Sequence, residues 1–463
     1  MENNKALRKR ELILNGSMLK VVLMIALPLV FYNLCNYMYG IFDMMIVQKE
    51  KIGDAADIVV LDQIKNMIST LGGAVATGGG IIIARKYGEG DIKLAKRFAN
   101  TLFSLALIVA GITLLFIPFG VPLLKILKTD QSTINNAMGY YNVQMCVLAI
   151  TTMNNVYISI EKSKGNTLLL FILNIMVIVI KISLTLIFVY TGLRRYVNMT
   201  WIAIATLIAQ LSIFSFGMVS LFLPRNILQI RIKELNLDGK KILSIIKIAF
   251  PVFVGRFLFS FGKVFVNSKA TVVYGKQCVG ALGISNTIAG SVQNIINSFE
   301  DAGATIVSQN LGNNNGKRIK SLFIINLIYL LIIACFGLIL LVAFQNQIAR
   351  FFAPDDLEYQ QMILNIVKYE RVDLLFVAFT GASQSIFYGF GKTRITMGLS
   401  MATLFVFRIP ALLIMMYPMH LNYEACGIAM FLSNSITGVI ALVWSLIFLK
   451  GLKNNKIYQS LVF

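Results

Sequence analysis

The residues of this chain best suited to chemistry lie inside stretches apolar enough to cross a bilayer. Ala26 to Val47 reads ALPLVFYNLCNYMYGIFDMMIV and carries a carboxylate, Asp43. Tyr32, Asn36, Tyr39 and Asp43 fall at i, i+4, i+7 and i+11, which places them on one face of a helix. An ionised carboxylate in a lipid-facing helix costs about 2.5–3.5 kcal/mol on insertion scales, so a chain keeps one where it meets protein, water or an ion. One reading of Asp43 is a satisfied structural acid. The other is a group that exchanges a proton or Na+ as its surroundings alternate between dry and wet.

A second polar stripe lies in the seventh apolar run. Arg256, Ser260, Lys263 and Asn267 again fall at i, i+4, i+7 and i+11. The eighth run carries Asn286, Gly290, Gln293, Asn297, Glu300 and Asp301, mostly on one face. A short turn, Tyr274 to Cys278, joins the two runs antiparallel, and Arg256 then lies roughly 8 Å along the hairpin from Glu300 at about 1.5 Å per residue. Two compatible readings follow: an internal salt bridge that pins the hairpin, or a charged wall facing substrate. Lys263 and Lys181 have no carboxylate at their own depth. They either find a carbonyl and snorkel or contact an anionic substrate group. The expected substrate cavity is Tyr32, Asn36, Tyr39, Lys181, Arg256, Lys263, Asn267, Asn297, Glu300 and Asp301.

The elements that must position these residues are long and apolar. The chain has 463 residues, 57% hydrophobic and 14% charged, with a mean hydropathy of +0.75. Soluble domains carry about 25% charged residues, so this composition belongs to a multi-span membrane protein. Apolar runs at roughly 21–47, 58–83, 99–124, 140–160, 168–190, 200–223, 243–272, 279–307, 321–344, 361–389, 395–418 and 425–449 predict twelve spanning helices. The second, eighth and tenth are interrupted by charges and are the least secure by hydropathy alone.

The net charge of +21 does not indicate nucleic acid, because the basic residues lie in short segments between apolar runs. Alternate connections starting from the N-terminus hold 26 Lys and Arg, and the opposite set holds 8. The positive-inside rule then places both termini in the cytoplasm, in a plasma membrane. A missed helix would scramble this alternation. The basic N-terminus precedes an apolar run too long for a signal-peptide core of about 7–15 residues, so the first helix is expected to be retained.

The chain also repeats itself. Gly88 in ARKYGEGDIKLAKR aligns with Gly312 in SQNLGNNNGKRIK at an offset of 224. KGNT (Lys164 to Thr167) matches FGKT (Phe390 to Thr393), and Ile202-Ala203 matches Ile428-Ala429, both at 226. Two six-helix halves of equal orientation imply a pseudo-two-fold axis along the membrane normal. The expected organisation is a cytoplasmic tail at 1–20, an N-lobe at 21–223, a linker at 224–241, a C-lobe at 242–450 and a second tail at 451–463. The fold class is all-α membrane protein.

Enzyme motifs are missing. Gly389 to Thr393 lacks the first glycine of a P-loop, since position 386 is Ile386. There is no HExxH and no GxSxG with a partner histidine. The five cysteines form no CxxC pair, so neither disulfides nor a metal site is expected. His420, the single histidine, falls in a predicted loop. A channel fits the two-fold repeat less well than alternating access does.

These motifs carry a resemblance. ALP (Ala26 to Pro28) with Asp43, ATGGGIIIARKYGEGD (Ala76 to Asp91), KGNT leading to Asn174, and IAIATLIAQ (Ile202 to Gln210) occur in order. They are followed by AFP (Ala249 to Pro251), YGKQCVGALGIS (Tyr274 to Ser285), SQNLG (Ser308 to Gly312) and YGFGKT (Tyr388 to Thr393). The sequence resembles the multidrug and toxic-compound extrusion (MATE) family, within the superfamily that also holds lipid-linked oligosaccharide flippases. The resemblance implies a two-lobe exporter driven by Na+ or H+ and expelling bulky, often cationic, amphipathic compounds. Asp43 matches the coupling aspartate of one bacterial branch and Asn174 its fifth-helix asparagine, while Thr206 lies in the sixth-helix polar segment. That branch carries an aspartate where this chain has Ile178, and another branch carries a seventh-helix glutamate where this chain has Arg256 and no acid. The expected function is ion-coupled antiport of drug-like organic compounds by a monomer. Its partners are a small-molecule substrate and the bilayer, and it needs no cofactor beyond the coupling ion, with Na+ at Asp43 as the one metal candidate. The alternative is a flippase for an anionic lipid or lipid-linked saccharide.

Overall fold

The computed structural model describes residues 2–50, 55–122, 131–190, 199–235, 237–354 and 356–451, and leaves the side chains of 2–5, 39–50, 55–64, 131–137, 199 and 276 outside the description. Among the described residues there are thirteen α-helices. They are α1 (Glu2–Asn15), α2 (Met18–Glu50), α3 (Ala55–Glu89), α4 (Ile92–Leu114), α5 (Gln131–Ser163), α6 (Thr167–Tyr190), α7 (Met199–Phe222), α8 (239–274), α9 (276–312), α10 (Gly316–Phe352), α11 (Leu357–Gly389), α12 (Thr393–Met416) and α13 (Glu424–Gly451). α8 and α9 run on from each other except at Gly275, whose φ of 86° and ψ of 173° suit glycine.

The twelve expected spanning helices are α2 to α13. Among the described residues, ten helices are long and apolar enough to cross a membrane by composition, and α9 and α11 are not among them. Both turn polar residues toward protein. Ser308, Gln309 and Asn310 of α9 and Glu370, Asp373, Ser383 and Ser385 of α11 are buried. Hydropathy undercounts a helix whose polar groups face protein instead of lipid.

The internal repeat is a repeat of helix joints. After α3, Gly90 has φ 86°; after α9, at the offset of 224, Asn314 has φ 53°. The next residue caps the following helix in both cases: Asp91 accepts from Leu94 N, and Asn315 accepts from Arg318 N. After α5, Gly165 has φ 75°; after α11, at the offset of 226, Gly391 has φ 71°. Asn166 N bonds Glu161 O at 2.9 Å and Lys392 N bonds Phe387 O at 2.8 Å, the same six-to-one closure of the helix end. The packing repeats as well: α4 on α5, α5 on α7 and α6 on α7 in the first half correspond to α10 on α11, α11 on α13 and α12 on α13 in the second.

The chain forms two compact units. One comprises Met1–Asn15 and Phe31–Phe253, the other Gly16–Val30 and Val254–Phe463. Both changeovers within helices lie close to a proline, Pro28 in α2 and Pro251 in α8. In the first unit, residues expected as a tail form a docked helix. Ile13 and Leu14 of α1 are buried, Arg10 donates to the carbonyls of Tyr87 at 2.7 Å and Gly88 at 2.8 Å, and Lys9 Nζ donates to Asn166 Oδ1 at 2.6 Å. The 224–241 connection is also packed. Leu228 and Ile230 are buried, and Arg231 N bonds Asn100 Oδ1 at 3.0 Å. At its end Asp238 accepts from the amides of Lys240 and Lys241. Its bond to the Lys241 ammonium is the main cause holding its carboxyl below the usual carboxylate range.

Close helix contacts rest on small residues. A Cβ added at Gly438 of α13 would lie 2.5 Å from the Phe376 carbonyl oxygen of α11, a backbone atom with no rotamer to escape into. Gly438→Ala is expected to destabilise the second unit by about 1–3 kcal/mol through overpacking, read as a lower unfolding midpoint in detergent. Gly398→Ala, with nothing within 4 Å of the new Cβ, is the control and should leave the midpoint unchanged.

Candidate functional site

In the first unit, the stripe expected on the first spanning helix is described only in part. Tyr32 and Asn36 are half-buried on α2. The side chains of Tyr39 and Asp43 lie outside the described residues. Asn174 of α6 is buried, and its amide donates to the Tyr32 carbonyl at 2.9 Å. It therefore ties α6 to α2. Thr206 donates to Ile202 O of its own helix at 3.0 Å. Lys181 is buried, only 3% exposed, on the inner side of α6.

In the second unit, the charges of Glu300 and Asp301 act on Arg256, and so does Tyr388. Gln384, with its amide oriented to donate, reaches both Glu300 oxygens at 3.3 Å. The hairpin of α8 and α9 thus brings Arg256 to the acids, as its length allows. Tyr388 and Gln384, from α11, complete the group. Among the described residues, Asn267 and Asn297 make no side-chain hydrogen bond to this group, and Asn297 is exposed.

A second group forms where α8, α9, α11, α12 and α13 converge. Glu370 and Asp373, one turn apart on α11, are 3% and 5% exposed. Ser285 of α9 donates to Glu370 Oε2 at 2.5 Å, and Asn434 of α13 donates to Asp373 Oδ2. Arg408, 4% exposed, donates through Nε to Ser433 at 2.9 Å and through Nη2 to Asn434 Oδ1 at 2.7 Å. Asn434 therefore bridges a buried cation and a buried acid. Among the described residues, Glu370 Oε1 and Asp373 Oδ1 meet no hydrogen-bond partner. Phe259 of α8 carries Lys263 Nζ at 5.1 Å and the Arg408 guanidinium carbon at 5.8 Å from its ring centre. Lys263 is exposed, and the charges of Arg408 and Glu370 act on it. Among the described residues, no three His, Cys, Asp or Glu side chains converge to hold a metal ion.

The repeat explains part of this arrangement. At the offset of 224, Tyr32, Asn36, Tyr39 and Asp43 coincide with Arg256, Ser260, Lys263 and Asn267. The same stripe is acidic and phenolic in one half and cationic in the other. In α12 a π-turn, Ala402–Arg408, inserts one residue, which raises the offset to 227. At that offset Arg408 coincides with Lys181, and both are buried cations. Sequence reasoning places Lys263 in the expected cavity. It misses Ser285, Phe259, Tyr388, Ser433 and Asn434, whose only local signal is a polar residue, or in Phe259 an aromatic one, on a helix face that other charges share.

Comparisons with known proteins agree with this architecture. A family model described as MatE matches residues 28–187 and 251–414, one match in each half. A probable multidrug resistance protein, YoeA, from Bacillus subtilis (strain 168) is 23% identical over 289 residues. That alignment spans 61% of this chain and 62% of YoeA, under two thirds of its length. A multidrug resistance MATE family transporter of the MOP superfamily, solved in an outward-facing conformation, superposes with a TM-score of 0.89 at 19% identity, covering 96% of this chain and 98% of its own. A MOP superfamily transporter from Pyrococcus furiosus Vc1 (DSM3638), for which a binding pocket of reverse polarity suggests a different function, superposes with a TM-score of 0.88 at 19% identity over 96% and 98% of the two chains. At these identities the structural likeness concerns the fold.

Proposed function

The chain belongs to the MatE family of membrane transporters, and from that membership we propose that it exports organic, drug-like, amphipathic compounds by Na+- or H+-coupled antiport. The observation that carries this reading is the doubled architecture. The family model matches each half separately, and the halves repeat the same helix joints and the same stripe position on their leading helices. Parallel six-helix repeats of this kind are the bundles that rock against each other in transporters working by alternating access. Buried ionisable groups at membrane depth support transport over a passive structural role, because burying them is unfavourable unless they are used.

In this reading Asp43 takes the coupling ion, while Asn174 and Thr206 shape the α6 and α7 side of that site. The lobes are 21–223 and 242–450, joined by 224–241, in a monomer of the plasma membrane. The excess of Lys and Arg in alternate connections supports cytoplasmic termini. The test is transport in proteoliposomes under an imposed Na+ or H+ gradient, with rhodamine 6G as a cationic dye and carboxyfluorescein as an anionic one. One of the two gradients is expected to drive dye movement above that of empty liposomes. Movement of neither dye under either gradient would sink the proposal.

A further inference from the structure

We infer that Lys263, set against Phe259 with Arg408 behind the same ring, forms a subsite for an anionic group of the transported compound: a carboxylate, sulfonate or phosphate. The inference rests on the transport reading and names the substrate chemistry of one wall. Helix α8 has two accessible faces. Phe261 and Phe265, 53% and 38% exposed, form an apolar face suited to lipid. Lys263 lies about 160° around the helix from both, at 100° per residue, on the stripe it shares with Arg256, Ser260 and Asn267. Its exposure is therefore on the polar face.

On that face the accessible charge beside Phe259 is positive. Lys263 is exposed, whereas Glu370 and Asp373 are 3% and 5% exposed and held from behind by Ser285 and Asn434. Arg408 is buried and donates to Ser433 and Asn434. Among the described residues no carboxylate oxygen lies within 4.0 Å of Lys263 Nζ, and none of its three donors meets a protein acceptor within 3.5 Å. The Phe259 ring already faces two cations, so it offers little to a cationic ligand. An ammonium with three open donors, on an apolar shelf and at the depth of a spanning helix, is complementary to an anion attached to an apolar body. Two groups oppose the anion, Glu370 near Lys263 and Asp373 behind Arg408, and Arg408 favours it.

Equilibrium binding without any ion gradient separates this inference from the transport reading. Carboxyfluorescein and rhodamine 6G are titrated against the full chain in nanodiscs by fluorescence anisotropy. Carboxyfluorescein is expected to bind, with affinity reduced roughly tenfold or more in Lys263→Gln, restored in Lys263→Arg and raised in Glu370→Gln. Rhodamine 6G binding should not weaken in Lys263→Gln. The unfolding midpoint of each variant shows whether the fold is intact, and the Lys263→Arg rescue excludes a merely structural effect. Displacement by short-chain phosphatidylglycerol but not by benzenesulfonate assigns a lipid headgroup as the source of the anion, and displacement by benzenesulfonate assigns a free organic anion. No carboxyfluorescein binding, or equal binding to the parent chain and Lys263→Gln, overturns the inference even if gradient-driven export of rhodamine 6G is observed.

Discussion

Asp43→Asn is expected to reduce gradient-driven transport to the level of empty liposomes while leaving membrane insertion and the unfolding midpoint unchanged. The substitution keeps the shape of the side chain and removes its capacity to bind and release a proton or to neutralise Na+. The repeat predicts that the fold accepts it. Asn267 already occupies the equivalent stripe position in the second half, so an amide at this point of a leading helix is compatible with the architecture. A carboxylate kept in a spanning helix against an insertion cost of about 2.5–3.5 kcal/mol is a functional-site hypothesis by default, and an amide cannot serve the ion-binding role. The measurement is dye movement in proteoliposomes under an imposed Na+ or H+ gradient, alongside a thermal melt in detergent. Retained ion-driven movement in Asp43→Asn would remove Asp43 from the mechanism. A lowered midpoint would instead make it a structural acid.

Glu161→Ala is expected to destabilise the first unit by about 3–5 kcal/mol, because it leaves the buried Lys164 ammonium without its carboxylate. Lys164 Nζ lies 2.6 Å from Glu161 Oε1, with side-chain exposures of 9% and 2%. The other carboxylate oxygen accepts from Asn166 at 2.8 Å, and Asn166 accepts from Lys9 of α1. Lys164 also donates to Asn226 Oδ1 at 3.2 Å, and Asn226 bonds the Ser220 carbonyl and the Leu228 amide. One carboxylate thus holds the joint between α5 and α6, and through it α1 and the 224–241 connection. Its loss should lower the unfolding midpoint and speed proteolysis within the connection. The double variant Glu161→Ala, Lys164→Met removes the stranded charge and should recover much of the loss. A fall of less than about 1 kcal/mol in Glu161→Ala would show that this pair behaves as a solvated surface bridge.

Much of the fold was legible before any coordinates, for a physical reason. Lipid imposes a length and an apolar composition on each spanning segment, and the translocation machinery imposes a charge bias on the connections. Both signals are local in sequence. Of the three runs least secure by hydropathy, α3 passes by composition over Lys65–Glu89, while α9 and α11 do not, because their polar residues face protein, which hydropathy does not register. The repeat was visible as short matches at offsets of 224 and 226, and those matches are the joints where a left-handed residue and a cap are required. Turn chemistry constrains residue type, so it leaves a trace.

The sequence by itself determined the twelve-helix class, its doubled organisation, the polar stripes on the two leading helices and the exclusion of soluble-enzyme chemistry. Only the tertiary structure decided which charges meet. Asn174, expected near the coupling ion, spends its amide on the Tyr32 carbonyl. Arg408 and Asp373 share Asn434 as a hydrogen-bond partner, and Glu370 is held by Ser285, 85 residues away in the chain. The π-turn that brings Arg408 into register with Lys181 lies in ATLFVFR just before Pro410, whose missing N–H and ring disturb the turn that precedes it. Helical periodicity states which side chains share a face. The partner across that face depends on how neighbouring helices are rotated and shifted against each other, and packing contacts between helices distant in sequence set that rotation.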